Sequence, residues 1–69
     1  MTANDIRKLR IRAGLTQPDM AALVGVPLGT YQNWEQGIRS PRGNNKQAIE
    51  RVARNAERRT RREKGADAT

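Results

Sequence analysis

Thr16-Gln17-Pro18-Asp19-Met20-Ala21-Ala22-Leu23-Val24-Gly25-Val26-Pro27-Leu28-Gly29-Thr30-Tyr31-Gln32-Asn33-Trp34-Glu35-Gln36-Gly37 reads as two short helices joined by a tight turn. Thr16 with Asp19 three residues on has the spacing of a capping box, in which hydroxyl and carboxylate each take up an unpaired backbone N–H. Pro18 fits only near such a start, where its missing N–H costs nothing. Met20, Ala21, Leu23 and Val24 form the expected apolar face of this helix, and Gly25 supplies the left-handed residue that ends it. Val26 is expected to plug the turn. Tyr31 and Trp34, three apart, face inward from the second helix as core rather than as stacking platforms, and Gly37 ends that helix.

With those two rings inside, Leu28, Gly29, Gln32, Asn33 and Gln36 remain on the outer face, with Glu35 towards one side. The face is rich in amides. Each amide carries a donor and an acceptor on one plane, the complement of adenine N6 and N7 in the major groove. An ordinary solvated polar face has the same composition, so the amides alone decide nothing.

Gln17, Ala21, Gly25, Val26, Tyr31, Trp34 and Glu35-Gln36-Gly37 together resemble the helix-turn-helix of the Cro/phage-repressor (XRE) family of DNA-binding proteins, over about Ile6 to Pro41. The resemblance implies an all-α, lambda-repressor-like domain of four to five helices. Its mechanics agree with the residues: Ala21 is small where two helices cross closely, and the turn glycine stands between them. It also implies that Gln17 clamps the DNA backbone, from a helix start whose free N–H groups favour anions. Arg10 and Glu35 are carried over from the family as an ion pair holding helix against helix. Breaking such a pair costs about 3–5 kcal/mol if it is deep and nearer 1 kcal/mol if exposed.

The chain departs from the family at two places in the turn. Pro27 stands where a capping Ser or Thr is common, and Gly29 lies where a side chain would read a base. Either the helix begins late, near Thr30, or the backbone at Gly29 approaches DNA too closely for a side chain. The expected base-reading set is Leu28, Gly29, Gln32 and Asn33, with Leu28 against a thymine methyl. The expected phosphate contacts are Thr16, Gln17, Thr30, Gln36, Arg39 and Arg42. Ile38, between them, is expected to turn inward as a plug.

Composition supports a polyanionic partner. The chain has 69 residues, a net charge of +7 and a pI near 11.4, and each basic side chain set against a phosphate releases condensed counterions. Apolar residues make up 35% of it, with no Phe, one Trp and one Tyr, which gives a thin core and marginal stability. Cysteine and histidine are absent. That removes disulfides, the usual zinc sites and the commonest general base, so neither catalysis nor a cofactor is expected. No apolar run has spanning length and no secretory signal pattern appears, so the expected setting is the cytoplasm, at the nucleoid, rather than a membrane.

Ahead of the central stretch, Thr2 or Asn4 can cap a first helix in which Ile6, Leu9 and Ala13 repeat at helical spacing and which Gly14 closes. Behind it, Asn44 or Asn45 can cap a last helix with a narrow stripe of Ile49, Val52, Ala53 and Ala56. Pairs from Glu50 to Arg54 and from Glu57 to Arg61 support its continuation to about Arg62, with Lys64 to Thr69 expected to be disordered. Residues 1–57 are assigned to the DNA-binding domain and 58–69 to a basic helical extension and tail. The expected function is a sequence-specific double-stranded DNA-binding regulator, a repressor acting as a homodimer, similar to phage repressors or to antitoxins with a toxin partner. Competing readings are a protein-interaction module using the last helix and RNA binding by the arginine-rich tail.

Overall fold

A computed structural model describes the backbone of residues 1–67 and the side chains of residues 1–59, and places four helices: α1 (Ala3–Arg12), α2 (Gln17–Val24), α3 (Leu28–Gln36) and α4 (Gly43–Asp67). Local chemistry fixes most of the ends. Thr2 caps α1 through a complete capping box with Asp5, and Thr16 caps α2 the same way with Asp19. In α1 the Thr2 backbone N–H donated to Asp5 holds that carboxyl below its ordinary value. Gly14, Gly25 and Gly37 follow the first three helices at φ of 72°, 90° and 79°, a region that L side chains avoid.

The core is small and draws on every helix: Ile6 from α1, Met20 and Ala21 from α2, Tyr31 and Trp34 from α3, Ile49 and Ala53 from α4. Tyr31 is fully buried and Trp34 is 3% exposed. Their rings meet edge to face at 5.9 Å, an arrangement that aligns ring edge with ring face electrostatically. Ala21 is 2% exposed within the close-packed core, so a longer side chain there must displace its neighbours.

Five expectations require correction. Leu23 is 60% exposed and does not belong to the apolar face of α2: Met20, Ala21 and Val24 suffice to cover a helix of only two turns. Ile38 is 65% exposed rather than a plug. The loop closes instead through backbone, with Ile38 N–H and Arg39 N–H both donating to Asn33 C=O. The last helix starts at Gly43, before either asparagine, and continues to Asp67, past Arg62 and through part of the stretch expected to be disordered. Ala68 and Thr69 lie outside the described residues. Glu50 and Arg54 do not pair, and Glu57 reaches across to Arg12 at 3.2 Å, joining α4 to α1. The expected partner of Glu57, Arg61, has a side chain outside the described set. Finally, α3 begins at Leu28 and not near Thr30, because Pro27 sets the extended N-cap conformation without a side-chain cap.

Candidate nucleic-acid interface

Burial of Tyr31 and Trp34 fixes which side of α3 faces out. Residues one position away from each buried ring are rotated by about 100°, so Gln32 and Asn33 stand at the boundary and are half-buried. Leu28, Gly29 and Gln36 are exposed, and Thr30 is half-buried. A Cβ added at Gly29 would meet nothing within 4 Å, so nothing inside the protein demands glycine there.

Glu35 is the exception on this helix. It is buried, not towards one side of the outer face, with a side chain 2% exposed. Arg10 Nε donates to its Oε2 at 2.6 Å and Arg10 Nη2 donates to its Oε1 at 3.2 Å. This side-on pair ties α1 to α3, and Arg10 Nη1 donates further to Leu15 C=O at 3.1 Å, pinning the loop before α2. Arg7 stands 3.9 Å away on the solvent side. Burial disfavours the Glu35 charge, but the donors from Arg10 and Gln17 outweigh it and hold the carboxyl below its usual range. Burial also pushes the Tyr31 phenol well above its ordinary value. Its oxygen lies beside the pair but off hydrogen-bonding geometry, without a partner among the described residues.

Gln17, the first residue of α2, belongs to the same network. Its Nε2 donates to Glu35 Oε1 at 3.1 Å, and its Oε1 accepts from Gln32 Nε2 at 3.3 Å. The link between Gln17 and Gln32 has no sequence signal, because it depends on the crossing of two helices. Thr16 is exposed, and its hydroxyl oxygen accepts from Asp19 N–H at 3.2 Å as the α2 cap. Arg39 and Arg42 are exposed in the loop after α3, where Arg39 N–H donates to Asn33 C=O, and neither arginine forms an ion pair among the described residues. The structure therefore brings Gln17, Gln32 and Glu35 together, while Leu28 and Gly29 lie in the first turn of α3, one turn before Gln32.

The α4 arginines at 51, 54, 58 and 59 are exposed. No helix among the described residues is long and apolar enough to cross a membrane.

Among known families, the helix-turn-helix family model matches residues 6–54, most of the chain. This is a family of DNA-binding regulators, not of enzymes. No curated protein and no solved structure matches.

Proposed function

We propose, for a chain that belongs to the Cro/C1-type (XRE) helix-turn-helix family, that it is a sequence-specific regulator reading the major groove with the outer face of α3. Family membership makes it a DNA-binding regulator; the sequence specificity and the residues that carry it are our reading. The observation behind that reading is the burial of Tyr31 and Trp34, which turns an amide-bearing, carboxylate-free edge outward. Glu35, the one acid of α3, is neutralised inside by Arg10 and so does not repel phosphate.

In this reading Asn33 and Gln32 meet base edges, Leu28 touches a thymine methyl, and Arg39 and Arg42 contact phosphates beyond the C-terminal end of α3. Thr16, Thr30 and Gln36 complete the backbone contacts. One module of this size makes few contacts, so we place two copies on half-sites about one helical turn apart, with repression by occupying an operator as the mechanism.

Selection from random duplex DNA tests the proposal. A palindromic site, a steep fall of log affinity with log salt, and relaxed preference in Asn33→Ala are expected. An unselective wild type, or an Asn33→Ala variant with unchanged preference, contradicts it.

A second reading, an antitoxin-like interaction module, draws on a groove of about 250 Å³ between α1, α2 and α4, lined by Leu15, Leu23, Val52 and Arg59 among others. Under that reading Leu23→Glu abolishes partner binding or dimerisation and leaves the intrinsic affinity for a half-site unchanged.

A further inference from the structure

The hydrogen bonds that run from Glu35 outward have a direction, and the direction is dictated by chemistry. An ionised carboxylate only accepts. Gln17 must therefore turn its NH2 towards Glu35, which it does at 3.1 Å, and this points its carbonyl oxygen the other way. That oxygen can only accept, so the next amide, Gln32, must present its NH2 to it, as it does at 3.3 Å. Each amide in the chain is thus denied the flip that a solvated glutamine makes freely. Arg10 anchors the inner end by donating twice to the same carboxylate.

We propose that Glu35, through Gln17, fixes the orientation of the Gln32 amide and so makes Gln32 a specificity-determining side chain whose free carbonyl oxygen and remaining N–H face the base edges. This rests on the reading of α3 as the base-reading helix and adds how one of its side chains is aimed. A donor and an acceptor held in one orientation match adenine, which offers N6–H and N7, and reject an edge with the groups reversed. Gln17 becomes a positioning residue: its removal frees Gln32 to rotate, so a change in α2 alters which base α3 prefers. A backbone clamp alone, by contrast, weakens all sequences alike.

Two measurements test this. In the free protein, the Gln17 side-chain NH2 resonances are followed by NMR in wild type and in Gln32→Glu. That near-isosteric change sets two acceptors face to face at the Gln17 carbonyl. The Gln17 NH2 signals are expected to shift while the Arg10 Nε–H signal still reports its bond to Glu35. Unmoved Gln17 signals overturn the directed chain. On DNA, random-duplex selection is run with wild type, Gln17→Ala, Gln32→Met and the double variant. Both single variants are expected to lose preference at the same base pair, by about tenfold each, with little further loss in the double variant. Retained preference in Gln17→Ala, or losses that multiply in the double variant, overturn the coupling. A wild type without any sequence preference overturns the base-reading role of α3 itself, whereas unmoved Gln17 signals with preference intact overturn only the orientation of Gln32.

Discussion

Replacing Arg10 with methionine tests how much of this domain hangs on one buried charge. Methionine keeps the apolar stem but removes three donors: two to Glu35 and one to Leu15 C=O. The Glu35 carboxylate, 2% exposed, then keeps only Gln17 at 3.1 Å and the more distant Arg7 at 3.9 Å. Removing one partner of a buried pair costs about 3–5 kcal/mol, and because Arg10 itself is 17% exposed the lower end applies, about 3 kcal/mol. A domain of this length has a total stability of only about 3–10 kcal/mol, so the melting midpoint should fall by roughly 12–24 °C.

The loss should also depend on pH. In the wild type the Glu35 carboxyl titrates below its ordinary value, so its contribution is present above the unfolded-state value, about 4.3, and fades as pH falls through the folded one. Without Arg10, burial dominates and the sign reverses: the buried carboxylate opposes folding at neutral pH, and protonation relieves it. Urea denaturation at pH 7 and pH 4 should therefore show a cost of Arg10→Met that shrinks at the lower pH. Adding Glu35→Gln to Arg10→Met should recover about 1 kcal/mol or more at pH 7. A cost under about 0.5 kcal/mol, or one equal at both pH values, refutes the reasoning.

Three further outcomes follow from packing. Ala21→Leu should destabilise by about 1–3 kcal/mol in chemical denaturation, because the added atoms enter a buried core position and force its neighbours to shift. Thr16→Ala removes the acceptor for Asp19 N–H and should cost about 1 kcal/mol by thermal melting. Tyr31→Phe should leave stability equal or higher, since it deletes a buried oxygen without a hydrogen bond. A loss above about 1 kcal/mol there would place that hydroxyl in a bond to Glu35.

The parts of the fold that were legible in the sequence are those set by local chemistry. Thr16 with Asp19, Gly25 and Gly37 announce helix ends because capping and a positive φ involve only a few neighbouring residues. Tyr31 and Trp34 announce the inner face by spacing. What escaped depends on chain segments meeting. Ile38 is apolar, yet the loop's course leaves it outside, and backbone bonds to Asn33 do the work expected of its side chain. Glu50 has an arginine four residues on, yet the two do not pair, whereas Glu57 meets Arg12 of α1, a contact between helices far apart in the chain. The link from Gln17 to Gln32 spans fifteen positions and exists only because α2 crosses α3 at that point.

The most direct test of the account is an amide chemical-shift titration of the protein with a selected duplex. It predicts the largest changes at Gly29, Gln32, Asn33 and Gln36 and at the start of α2, with Arg39 and Arg42 following. Changes confined to the α4 arginines at 51, 54, 58 and 59, with α3 silent, would contradict it.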